Sequence, residues 1–123
     1  MELLHTCLNV SDVDRSVEWY TEQLDFGESW GFETEDGETV NRYVADGNGV
    51  ELQLSDTEDA TPAAAGDLWD HVAVSVEDVD AAFEAIENHG VRSEPTDQPA
   101  AGARTAFIED PDGHVVELIE AGE

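Results

Sequence analysis

The feature that most restricts how this chain can fold is that it is written twice. Laid beside LWDHVAVSVEDVDAAFEA, the segment LLHTCLNVSDVDRSVEW puts His5 on His71, Val10 on Val76, Asp12 on Asp78, Val13 on Val79, Asp14 on Asp80, Val17 on Phe83 and Glu18 on Glu84. The offset is 71 − 5 = 66. Carried forward unchanged, it lays ADGNGVELQL on PDGHVVELIE, with Gly47 on Gly113, Val50 on Val116, Glu51 on Glu117 and Leu52 on Leu118. Each half then carries one histidine near its start and one glutamate near its end.

The pattern inside each half predicts a strand, a helix and three further strands. The first strand covers about residues 2–10. Asp12 is a good N-cap, and Val13, Val17, Tyr20 and Leu24 follow at the spacing of one helix face. The second half repeats this with Asp78, Val79, Phe83 and Ile86, and Gly90 reads as the C′ glycine that stops the helix. Turn signals then separate short strands: EDG at 35–37, DGNG at 46–49 and DPDG at 110–113. The expectation is an α+β fold of two tandem βαβββ modules, about 1–56 and about 68–123, joined by a small, polar, Pro-containing linker at about 57–67 within a single domain 1–123.

Charge excludes some partners. Asp and Glu total 31 against four basic residues, Arg15, Arg42, Arg92 and Arg104, for a formal net charge of −27. Nucleic acid is excluded as a partner on this ground. The acids are spread along the chain instead of gathered in a tail, and a hydrophobic content of 40% is globular, so the excess reads as adaptation to a salt-rich cytoplasm, where screening removes the self-repulsion. Cys7 is the one cysteine, which rules out an internal disulfide, and no apolar run suits a signal peptide or a membrane span.

Strand alternation sorts the side chains, because residues i and i+2 share a face. Leu4, Leu8 and Val10, then Val72, Val74 and Val76, then Val50, Leu52 and Leu54, then Val116 and Leu118 form the apolar faces that helices cover. The opposite faces carry His5, Cys7 and Asn9, then His71, Ala73 and Ser75, then Glu51 and Gln53, then Glu117. A lone strand histidine is more often a satisfied structural residue than a ligand. Two imidazoles and two carboxylates repeated at one offset on one face are different, being the donor set of a divalent metal that accepts mixed N and O ligands, such as Ni, Co, Zn, Mn or Fe. A cation would also relieve the repulsion between neighbouring glutamates. His89 reads as a helix C-terminal cation, His114 as an exposed residue after a turn, and Cys7 as a small apolar filler.

LLHTCLNVSDVDRSVEWYTEQL and FIEDPDGHVVELIE, at opposite ends of the chain, resemble glyoxalase I (lactoylglutathione lyase) of the vicinal-oxygen-chelate superfamily, most closely its short bacterial type. The resemblance implies a metal held by His5, Glu51, His71 and Glu117, with Ni preferred and Co, Mn or Zn also fitting. It implies cup-shaped sheets and a homodimer in which His and Glu from one subunit meet His and Glu from the other. The implied chemistry is isomerisation of a methylglyoxal–thiol hemithioacetal to an S-lactoyl thioester, with Glu117 as the principal acid/base and Glu51 as the second candidate. Family members that use glutathione carry an arginine four residues after the first ligand histidine and an asparagine shortly after the first ligand glutamate. Here Asn9 and, most nearly, Ser55 stand there, and Arg104 is the cation nearest the place of a missing family lysine. The thiol is therefore expected to be another one, such as γ-glutamylcysteine. Competing readings within the superfamily are a methylmalonyl-CoA epimerase-like enzyme, which usually has Gln in the place assigned to Glu51, and a bleomycin-type protein that binds a ligand without catalysis.

Overall fold

The computed structural model describes residues 1, 3–60 and 69–121. Most of the sequence-predicted linker, 61–67, lies outside the described residues. The chain divides into two units, Met1–Ala63 and Ala64–Glu123.

In the first unit, β1 (His5–Asn9), α1 (Val13–Gln23), β2 (Gly27–Glu33), β3 (Thr39–Ala45) and β4 (Glu51–Thr57) form a four-stranded sheet of order β1-β4-β3-β2. β1 and β4 run parallel and the other neighbours antiparallel. The parallel pair needs a long crossover, which α1 and the β2–β3 hairpin provide. Asp12 caps α1 as expected: its backbone is extended and its carboxylate accepts from the Arg15 amide at 3.2 Å. A second carboxylate, Asp56 at the end of β4, accepts from the Val13 amide at 3.0 Å and ties the helix start to the sheet. Val13, Val17, Trp19 and Tyr20 of α1 are buried, as are Leu8, Val10, Val44, Leu52 and Leu54, and together they make the core of this unit.

The second unit repeats the plan with β5 (His71–Ser75), α2 (Val79–Ala85), β6 (Val91–Gln98), a 3-10 turn (Pro99–Ala101), β7 (Ala103–Glu109) and β8 (Val115–Ala121), in the order β5-β8-β7-β6. Asp78 caps α2, and Glu120 accepts from the Val79 amide at 2.8 Å, as Asp56 does for Val13. Val79, Ala106, Ile108, Val116 and Leu118 make its core. The α+β architecture of paired βαβββ modules is therefore what the sequence predicted.

Three expectations are corrected. Leu4 and Val50 are exposed, because β1 begins only at His5 and β4 only at Glu51, so neither residue has a sheet to lie on. The second helix stops at Ala85 instead of running to Gly90, since Ile86 is already extended and residues 89–90 pair with the end of β7 through His89 N to Glu109 O and Glu109 N to Gly90 O. Gly90 is not a helix cap, since it pairs with β7 beside the Glu109 carboxylate, whose carboxyl carbon would lie 2.9 Å from a Cβ there. His114 is half-buried, its amide held by Asp110 at 2.8 Å. No helix among the described residues is long and apolar enough to cross a membrane.

Candidate metal centre

In the second unit two of the four sequence-predicted donors meet. His71 opens β5, and its Nε2 stands 2.9 Å from Oε1 of Glu117 on β8. Its other ring nitrogen, Nδ1, is 2.5 Å from Oδ1 of Asp70. The imidazole makes a T-shaped contact with Phe107, with ring centroids 5.4 Å apart at 89°. The Asp70 hydrogen bond, with the Glu117 carboxylate adding to it, holds the His71 pKa above its ordinary value against the opposing effect of burial. An imidazole with one nitrogen fixed by a carboxylate and the other aimed at a carboxylate oxygen is the usual dress of a metal-binding histidine. Asp70 was not singled out from the sequence, although its place directly before the repeated histidine was visible there.

In the first unit His5 opens β1 and makes a T-shaped contact with Tyr43, again at 5.4 Å between centroids and 82°. Its Cα partner on β4 is Glu51. The Glu51 carboxylate accepts a short hydrogen bond from the Ser29 hydroxyl. Two residues further on the same face, Gln53 donates its amide N–H to Asn41 Oδ1 at 2.9 Å. Cys7 is the Cα partner of Gln53 and is exposed, not the apolar filler expected, although neighbouring atoms desolvate its thiol enough to raise its pKa. Tyr43 is buried, and that burial, followed by the charges of Cys7 and Glu51, pushes its hydroxyl up. Trp30 stacks on Tyr43 at 4.3 Å with the rings 8° from parallel, and Phe32 stacks on Trp30. This aromatic stack beside His5 was not predicted.

The two units repeat each other, but not at one offset. Val10 N bonds Ser55 O and Val76 N bonds Ile119 O, so the first strands are related by 76 − 10 = 66 while the last strands are related by 119 − 55 = 64. The turns agree with the second value. Asp46 accepts the amides of Asn48 and Val50 on its side chain, Asp110 those of Asp112 and His114, and the left-handed glycines are Gly49 and Gly113. Tyr43 faces Gln53 across its antiparallel pair, and Phe107 faces Glu117. In three dimensions the counterpart of Glu117 is therefore Gln53, and the counterpart of Glu51 is Val115. The constant offset of 66, which set Glu51 on Glu117, fails after the helices because the path from Val13 to Tyr43 is two residues longer than that from Val79 to Phe107.

Of the four predicted donors, His71 and Glu117 meet through their side chains while His5 and Glu51 are Cα partners across β1 and β4, and among the described residues no group of three or more His, Cys, Asp or Glu forms a metal cluster. The chemistry of the His71–Glu117 pair nevertheless fits a divalent ion that takes imidazole nitrogen and carboxylate oxygen together.

Comparison with known proteins identifies the family to which the fold belongs. The family model of the Glyoxalase/Bleomycin resistance protein/Dioxygenase superfamily matches residues 2–118. The chain is 33% identical to a lactoylglutathione lyase of Salmonella typhimurium, over 98% of this chain and 93% of that one. Among solved structures, glyoxalase I from Zea mays superposes with a TM-score of 0.85 at 25% identity, covering 98% of this chain and 44% of the maize chain. The chain therefore spans under half the length of that maize protein. The trypanothione-dependent glyoxalase I of Leishmania major superposes with a TM-score of 0.80 at 27% identity, covering 97% of this chain and 86% of that one.

Proposed function

Since the chain belongs to the glyoxalase/bleomycin resistance protein/dioxygenase superfamily and matches lactoylglutathione lyases over nearly its whole length, we propose that it isomerises the hemithioacetal of methylglyoxal and a small thiol to an S-lactoyl thioester. Its likeness to those lyases makes it an enzyme of that class. The observation that carries the reading is the His71–Glu117 pair, with the second ring nitrogen fixed by Asp70.

In this reading His5, His71, Glu117 and a fourth oxygen donor on β4, assigned to Glu51 from sequence, would hold one divalent ion, with nickel the first choice and cobalt, manganese or zinc also fitting. When bound, the metal supplies Lewis-acid stabilisation to charge that develops on two vicinal oxygens. Glu117 takes the proton from the carbon bearing sulfur and returns it to the adjacent carbonyl carbon, while the hydroxyl proton passes from the oxygen on the first carbon to the oxygen on the second, so the thiohemiacetal carbon becomes the thioester and no co-reactant is consumed. Asp70 holds the imidazole at Nδ1, which would leave Nε2 for the ion. Each unit carries half of the donor set, which supports a homodimer whose two copies complete shared sites. The acidic surface, with a net charge of −27, supports a cytoplasmic protein working in concentrated salt.

The thiol is proposed to differ from glutathione. Asn9 and Ser55 are Cα partners on the face that carries His5, and neither supplies the cation that would pair a glutathione carboxylate. The test is turnover in molar KCl with methylglyoxal and several thiols after reconstitution with Ni²⁺, Co²⁺, Mn²⁺ or Zn²⁺. His71→Ala and Glu117→Gln each remove activity while the chain keeps its fold by circular dichroism. Better turnover with glutathione than with any other thiol contradicts the thiol assignment.

One observation favours a second reading. Gln53 as the counterpart of Glu117 is the arrangement expected of a methylmalonyl-CoA epimerase-like enzyme, which shares the proton transfer between carbons. Assaying methylmalonyl-CoA epimerisation beside hemithioacetal isomerisation on the same metal-loaded protein separates the two.

A further inference from the structure

Resting on the metal-dependent reading above, the geometry points to Gln53, and not Glu51, as the donor that the first unit contributes beside His5. In the second unit the imidazole does not reach the residue across from it. The Cα partner of His71 is Val115, whereas its Nε2 meets Glu117, two residues further along β8. Applied to His5, whose Cα partner is Glu51, the same step arrives at Gln53.

Independent contacts set the two positions in register. Both histidines make a T-shaped ring contact at 5.4 Å, with Tyr43 in one unit and Phe107 in the other, and those rings stand opposite Gln53 and Glu117 on the neighbouring strand. The carboxylates that tie the helix starts, Asp56 and Glu120, lie three residues beyond Gln53 and Glu117 respectively. Glu51 falls instead where the second unit has the apolar Val115, and its carboxylate is engaged by Ser29. Gln53 is fixed as a donor oxygen should be. Its amide nitrogen is spent on Asn41, a residue 4% exposed, which leaves the amide oxygen as the free acceptor.

The donor set His5, Gln53, His71 and Glu117 carries one negative charge where the set with Glu51 carries two. Glu117 would then be the sole carboxylate of the set able to move the proton, and an ion held by that set would keep more of its positive charge.

The test is Co²⁺ affinity by equilibrium dialysis in molar KCl, with the visible Co²⁺ spectrum recorded on the same samples. Gln53→Ala is expected to weaken binding roughly tenfold or more, Glu51→Gln to leave it within about twofold, and Gln53→Glu to retain the ion with an altered spectrum. The last variant keeps an oxygen donor and remains informative if Gln53→Ala does not fold. Loss of the ion in Glu51→Gln, equal losses in Glu51→Gln and Gln53→Ala, or an unchanged spectrum in Gln53→Glu overturns the assignment. A wild-type protein that binds no Co²⁺ overturns the metal-dependent reading itself, and the assignment with it.

Discussion

At the scale of single residues the strongest statement concerns Asp70. Its carboxylate stands 2.5 Å from Nδ1 of His71, and in the proposed site that contact would keep Nε2 for an ion; partners of this kind change metal affinity by about 10–100-fold when removed. Asp70→Asn is expected to weaken metal binding by that order. The pH response follows from the same contact. In the metal-free protein the His71 pKa is raised above 6.5, so the folded state binds the proton more tightly than the unfolded chain. The stabilisation is fully present below 6.5 and is lost as pH rises through the higher folded value. Melts of the chelated protein should therefore show stability falling across that window, with the fall reduced in Asp70→Asn, while metal affinity rises over the same window as the proton leaves. A pH-independent difference between the two proteins would contradict this role.

At the scale of elements, each helix is positioned by two carboxylates at its start, one local and one from the last strand. Asp12→Ala should cost about 1 kcal/mol in chemical denaturation. Leu54→Ala, at a side chain with no exposure beneath α1, should cost about 2–5 kcal/mol. These features were legible because capping and alternation are local: Asp12, Asp78, the buried Leu8 and Leu118, and the turns at 46–49 and 110–113 stand where the sequence put them. What was not legible depended on register between strands far apart in the chain. Aligning DGNG with DPDG, instead of extending the offset of the histidines, would have set Gln53 on Glu117. The early end of α2 was hidden because Gly90 looks the same whether it caps a helix or admits a neighbouring carboxylate. Leu4 and Val50 fitted the alternation but lay just outside strands whose starts composition does not mark.

For the whole molecule, charge and duplication dominate. With 31 acidic residues, no lysine and four arginines, self-repulsion opposes the folded state in dilute buffer, whereas near 1 M salt the Debye length is about 3 Å and the repulsion is screened. The chain should unfold cooperatively in molar KCl and lose structure on desalting; a melting temperature unmoved by salt would contradict the proposed salt-rich setting. The duplication places His5 in the first unit and His71 with Glu117 in the second, and the proposed activity depends on a bound divalent ion. The most direct measurement is thioester formation from methylglyoxal hemithioacetals by the chelated protein in molar KCl, titrated with a divalent metal. The expected result is no turnover without metal and full turnover at one ion per pair of His–oxygen donor halves. Turnover that survives chelation, or none with any of the four metals and any thiol, would contradict the account.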